Sequence, residues 1–256
     1  MKDASEATQI NKYISSSGFC SRREADKYVE EGRVTINDDT ALPTSRVYPG
    51  DVVTVDGEKI KKPKPNKQGV YLAFHKPMGV TSTTDPKDRS NIINFINYPT
   101  RIFPIGRLDK DSEGLIVLTN DGDIVNKILR SENEHEKEYI VSVNKPITAE
   151  FLRRMSGGLH ILGEKTKPCV VHSMGTKRFR IILTQGLNRQ IRRMCESLGY
   201  DVMSLKRVRI MNITLSNIPV GKWRNLSYTE VDEINRMVSE SSKTEEASLK
   251  NKKKKG

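Results

Sequence analysis

The sequence predicts an α+β fold in two parts: a large domain built on a largely antiparallel sheet, preceded by a small module of helices and short strands. Three observations carry this. From residue 71 onward, strand-like runs and helical patterns are interspersed without strict strand–helix–strand alternation, which argues against a parallel sheet. Residues 8–62 hold their own compact set of helix and strand signals. Between the two parts, KKPKPNKQG at 61–69 offers prolines, lysines and a glycine but no apolar side chain to bury. The expected division is a module at 8–62, a flexible linker at 63–69, a main domain at 70–238 and a disordered, lysine-rich tail at 239–256.

Taken in order, residues 10–16 read as a short helix. Ser21-Arg22-Arg23-Glu24 is a capping box, followed by the apolar stripe Ala25, Tyr28 and Val29 and by Gly32 as a stop. Residues 34–36 and 52–55 read as strands, with Asn37-Asp38-Asp39 as a turn. In the larger part, strands are expected at 71–74, 115–118, 137–143, 169–171, 179–183, 208–210 and 213–215. A helix follows Gly122. Another is capped by Thr148 and closed by Gly157-Gly158. A third runs from Asn188 as its cap to Leu198, and the last starts near residue 230 behind Ser227 or Thr229.

The net charge of +12 is unevenly distributed. Residues 176–229 hold eleven Lys or Arg against Glu196 and Asp201 alone, a surplus of nine (11 − 2). Such a field attracts a polyanion. In the module, basic and acidic residues balance at nine each between Thr8 and Lys62. An RNA-binding face there would have to gather Arg22, Arg23, Lys27 and Arg33. The i,i+4 spacing of Arg23 and Lys27 puts those two on one face, as it would on any solvated helix. No run approaches 18 apolar residues, so no membrane span or membrane partner is expected. No apolar block follows Lys2 as in a secretory signal, and Cys20, Cys169 and Cys195 are scattered, which suits a reducing, cytoplasmic setting.

The chain is organised around GRLDKDSEGL at 106–115, where a strand-like run, 115–118, is preceded by five charges: Arg107, Asp109, Lys110, Asp111 and Glu113. A carboxylate set among basic residues at the edge of a core is placed for electrostatic or nucleophilic work. A lone carboxylate in a turn can equally cap the backbone. With KPMG at 76–79, KEY at 137–139 and GLNRQIRR at 186–193, this stretch resembles the bacterial ribosomal RNA pseudouridine synthases of the small-subunit and large-subunit group. SRREAD and GRVTIN resemble the S4 RNA-binding domain. The resemblance runs from Ile10 to Ile234, with its motifs in order.

The resemblance implies a catalytic domain with its cleft across the sheet centre, acting without a cofactor as a monomer. The implied reaction converts a specific uridine in 23S ribosomal RNA, in a hairpin near the peptidyl-transferase region, to pseudouridine. A tRNA anticodon-loop uridine is the alternative substrate. Asp109 is the implied nucleophile and Arg192 its salt-bridge partner. Tyr139 is implied to stack on uracil and share in proton transfer, although a tyrosine opening a strand also serves as packing. Arg107 is implied to fill the gap left by a flipped base, or to contact phosphate. Arg189 is expected on phosphate and Arg193 toward RNA or solvent. Lys206, Arg207 and Arg209 are expected to line the RNA backbone path from a half-buried strand. Two other classes fit parts of the sequence. One is a noncatalytic RNA-binding ribosome-assembly protein. The other is a nuclease holding metal on Asp109, Asp111 and Glu113, but the four histidines are too scattered for metal-ligand spacing and no metal is expected.

Overall fold

The computed structural model of the protein describes residues 7–60, 69–129 and 134–239. The expected linker and tail lie almost wholly outside these residues. The chain divides into two compact units, one of Met1–Gly69 with Pro99–Arg101 and the other of Val70–Tyr98 with Ile102–Gly256.

The first unit contains β1 (Thr8–Gln9), α1 (Ile10–Ser16), α2 (Arg22–Glu30), β2 (Val34–Ile36), β3 (Asp39–Thr40), β4 (Arg46–Val47), β5 (Val53–Val55) and β6 (Glu58–Lys59). The capping box forms as expected: the Ser21 hydroxyl accepts the Glu24 N–H at 3.1 Å, and the Glu24 carboxylate accepts the Ser21 N–H at 2.8 Å. This fixes the rotation of α2, so that Ala25 and Val29 pack with Ile10, Ile14, Val34, Val53 and Val55. Arg22, Arg23 and Lys27 are left on the exposed side. Strands β3-β2-β5-β6 form one sheet, and β1 pairs with β4.

The second unit contains β7 (Tyr71–Lys76), α3 (Ile92–Ile96), β8 (Phe103–Ile105), β9 (Glu113–Thr119), α4 (Gly122–Leu129), β10 (Lys137–Val143), α5 (Ala149–Gly157), β11 (His160–Ile161), β12 (Glu164–Lys165) and β13 (Val170–Ser173). There follow β14 (Arg178–Leu183), α6 (Gln190–Ser197), β15 (Val202–Ile210), β16 (Ile213–Thr214), β17 (Trp223–Asn225) and α7 (Tyr228–Val238). The main sheet runs β13-β14-β10-β15-β9-β7-β17, with β16 added to β15 and β8 to β9. It is antiparallel except where β15 meets β9. One core forms around β10, β14, β15, α5 and α6, and another where β7 and β9 meet α4 and α7.

α3, β8 and the two-residue strands β1, β3, β4, β6, β11 and β12 are additions to the expected elements, and two further elements differ from expectation. β15 starts at Val202, well before the expected run at 208–210, and carries Lys206 and Arg207 within it. β17 completes the sheet edge from Trp-Arg-Asn, a run too short and polar to announce a strand. Trp223 there packs edge-on against Tyr98 at 5.5 Å and stays partly exposed.

The two halves of the sheet meet in a two-residue parallel pairing, Lys206 opposite Glu113 and Arg207 opposite Gly114. Gly114 has φ +127°, and a Cβ there would overlap the carbonyl oxygen and the nitrogen of Arg207. Gly114→Ala is therefore expected to destabilise the unit by at least about 1–3 kcal/mol from backbone strain alone, more as the strands are pushed apart. Thermal melting checks this, and an unchanged midpoint would contradict it.

Candidate active site

Where the two half-sheets join, the core opens into a cavity of about 450 Å³, within the roughly 300–1,000 Å³ span of small-molecule sites. Its lining includes Arg107, Leu108 and Asp109 from the loop before β9, Lys137 and Tyr139 from β10, Arg189 and Arg192 at the start of α6, and Leu205 and Arg207 from β15. Burial alternates along β10, so Lys137, Tyr139, Val141 and Val143 share its buried face. Val141 and Val143 pack with Phe151 and Met194, while Tyr139 borders both core and cavity. A bulge against β15 falls between Glu138 and Tyr139, a device that re-aims a side chain.

The loop carrying Asp109 is held from behind by the KPMG turn and the residues after it. The Gly79 N–H donates to the Lys110 carbonyl at 2.8 Å. The Ser82 hydroxyl donates to the Leu108 carbonyl at 2.8 Å and accepts the Leu108 N–H at 3.1 Å. The turn itself is tied by Lys76, whose buried ammonium donates to the carbonyls of Pro77 (2.9 Å) and Val80 (2.7 Å). Desolvation pushes the Lys76 pKa down to about 8, opposed by the nearby charges of Asp109 and Asp111.

Asp109 is about one-third exposed and lies 3.4 Å from Arg189 Nη1. Arg189 also grips Asp111 with both terminal nitrogens at 3.1 Å, and this pairing holds the Asp111 carboxyl below its usual range. The expected Arg192–Asp109 pair is not the one formed. The Arg192 guanidinium donates to the Asp111 carbonyl (3.0 Å), the Ser112 hydroxyl (3.1 Å) and the Val202 carbonyl (3.4 Å), and approaches the Asp111 carboxylate at 3.4 Å. One turn into α6, it is held under the main chain at 111–112. Arg189, ahead of the helix, reaches both carboxylates. Asn188 does not cap α6: Arg189 occupies the cap position with φ 51°, and Asn188 instead accepts from Arg193 through its backbone and side-chain oxygens.

Other expected RNA contacts are already committed within the fold. Arg207 does not face outward: it is buried at 4 % exposure, because β15 turns its Leu205 and Arg207 face into the cavity and core. Lys206 pairs with Glu113 at 2.8 Å, and Arg209 with Glu136 and Glu138 at 2.8 and 2.9 Å. Arg33 is held in a fork by Asp56 at 2.8 and 2.7 Å, with Glu31 at 2.9 Å. Arg107 is exposed at the cavity rim, as a contact with RNA requires. Among the described residues, Arg22, Arg23 and Lys27 stay exposed without an ion pair. The three carboxylates of the signature do not converge on a metal: Asp109 and Asp111 turn to Arg189, while Glu113 turns to Lys206 and His75.

Sequence reasoning missed the buried cations Lys76 and Lys137. A period-two reading of KEY places Lys137 on the same face as Tyr139, and that was the available signal. Lys137 is 7 % exposed and donates to the carbonyls of His135 (3.1 Å) and Thr184 (3.2 Å). Desolvation, and then the charge of Arg207, push its pKa down to about 8.

The model of the RNA pseudouridylate synthase family matches residues 70–197, and that of the S4 domain matches residues 10–53. The dual-specificity RNA pseudouridine synthase RluF of Escherichia coli (strain K12) is 55% identical over 236 residues, 92% of this chain and 81% of the relative. The ribosomal large subunit pseudouridine synthase B of Bacillus subtilis (strain 168) is 34% identical over 235 residues, 88% of this chain and 95% of the relative. A crystal structure of a pseudouridylate synthase matches with a TM-score of 0.65 and 26% identity, covering 88% of this chain and 98% of that one. The chain belongs to the RNA pseudouridylate synthase family and is an RNA pseudouridine synthase with an amino-terminal S4 domain.

Proposed function

We propose that the enzyme isomerises a specific uridine of 23S ribosomal RNA, in a hairpin near the peptidyl-transferase region, with Asp109 as the nucleophile. The seat of Asp109 carries this reading: a partly desolvated carboxylate beside Arg189 opens on the same cavity as Tyr139. A carboxylate so placed can attack carbon, and the adjoining guanidinium fixes its position. The uridine must leave its stack to reach the cavity. Tyr139 offers a ring to the uracil face, and Arg107 stands at the rim where an emptied stack would need filling. Arg22, Arg23 and Lys27 give the S4 domain an open basic face for the RNA backbone. An anticodon-loop uridine of tRNA is the second substrate, a reading favoured by the dual specificity named for the Escherichia coli relative. An enzyme acting on ribosomal and transfer RNA works in the cytoplasm.

The test is single-turnover isomerisation of hairpins carrying uridine labelled with tritium at C5, whose release reports the new glycosidic bond. The wild-type protein is expected to release label from a 23S hairpin and from a tRNA anticodon stem-loop. Asp109→Asn keeps the shape and should still bind, while its rate falls on the order of 10³-fold or more. A folded, RNA-bound Asp109→Asn protein working at the wild-type rate would remove Asp109 as nucleophile.

Arg189→Ala is expected to lower the single-turnover rate by roughly 10²-fold, the scale of a misplaced reacting group, with a smaller loss of affinity. Arg189→Lys should restore part of the rate by returning charge without the planar fork. A near-normal rate for Arg189→Ala would assign the support of Asp109 to Arg192 instead.

A further inference from the structure

We propose that Lys137 and Arg207 form a cationic floor that holds the negative charge of the uracil ring once its N1–C1′ bond has broken; this rests on the isomerase reading above. Both side chains line the cavity that Asp109 and Tyr139 share. Both are more than nine-tenths buried, and among the described residues neither has a carboxylate partner.

Their hydrogen bonding leaves donors free. Arg207 Nε donates to the Leu115 carbonyl at 2.7 Å and Nη1 to the Arg107 carbonyl at 3.3 Å, while Nη2 is buried with no partner. An ammonium has three donors, and the carbonyls of His135 and Thr184 take two from Lys137. The Arg207 guanidinium lies 6.0 Å from the centre of the Tyr139 ring, the ring assigned to the uracil face. Two adjoining cations buried without counter-charge are costly. Burial, and then the charge of Arg207, hold the Lys137 pKa down to about 8, in keeping with that cost. An anion arriving between them would relieve it.

The reaction supplies one. When the N1–C1′ bond breaks, its electron pair stays with N1, and the resulting charge spreads over O2 and O4. Asp109 takes up C1′ as N1 leaves; C5 of the same ring then attacks C1′ and releases the Asp109 carboxylate, C5 loses its proton to solvent, and N1 takes one up. Nothing is oxidised or reduced. Fixed donors in a water-poor cavity stabilise such a transient charge without reorganising.

The test compares uridine with 5-fluorouridine in the same hairpin, since fluorine at C5 itself stabilises a uracil anion. Conversion is followed by chromatography of digested RNA under single-turnover conditions, as pseudouridine from uridine and, from 5-fluorouridine, which has no C5 proton to lose, as the C5-fluorinated C-glycoside with water added at C6. Lys137→Met keeps length and removes charge. It is expected to lose on the order of 10²-fold in rate on uridine but less than about tenfold on 5-fluorouridine, with hairpin affinity within about threefold. Lys137→Arg should retain most of the rate. Arg207→Met is expected to show the same substrate dependence, and melting curves would show whether losing its main-chain ties unfolds it. Equal losses on both substrates, or none, would overturn the proposal for Lys137 while wild-type isomerisation stands. A wild-type protein that makes no pseudouridine would overturn the isomerase reading and this one together.

Discussion

The site depends on one close approach, that of Gly114 to the main chain of Arg207. Without a side chain at 114, β9 and β15 pair and the two half-sheets become one. The same approach brings Arg207 across the junction, where its guanidinium ties the carbonyls of Arg107 and Leu115. Those two residues flank the Asp109 loop, so one buried cation from the opposite strand staples both ends of the segment. Ser82 and Gly79 hold its middle from the other side. A loop fixed at both ends and in the middle loses little freedom when substrate arrives, as the role proposed for Asp109 requires.

Around this loop the charges fall into two populations. At the rim, arginines and carboxylates neutralise one another: Arg189 with Asp109 and Asp111, Lys206 with Glu113. Beneath it, Lys76, Lys137 and Arg207 are buried against backbone carbonyls. Burial lowers both lysine pKa values to about 8, so their charge persists at neutral pH and is lost as pH rises through that value. The interior is thus positive beneath a nearly balanced rim, an arrangement suited to charge that develops during reaction.

Local signals were legible where the physics is local. The capping box at Ser21 forms, Ser227 and not Thr229 caps the last helix, and the apolar face of α2 points inward. The family read from GRLDKDSEGL, KEY and QIRR is the family the comparisons show. What failed to show was long-range. The excess of nine positive charges at 176–229 is reduced by acids outside that window, among them Glu138 against Arg180 and Arg209, and Asp111 against Arg189. Alternation along β15 gave two faces but not which one lies inside, so Arg207 was read as exposed. Arg189 and Arg192 lie three residues apart. Only the left-handed turn before α6 shows which of them reaches Asp109.

The proposed reaction requires the junction of the half-sheets to seat a flipped uridine between Asp109 and the buried cations. A crystal structure of the Asp109→Asn protein with a uridine hairpin tests it most directly. The target base is expected out of its stack, its ring against Tyr139 and its O2 or O4 toward Lys137 and Arg207. The ribose C1′ should lie roughly 3–3.5 Å from the side chain at position 109. A target uridine still stacked in the hairpin, or lodged away from this cavity, would contradict it.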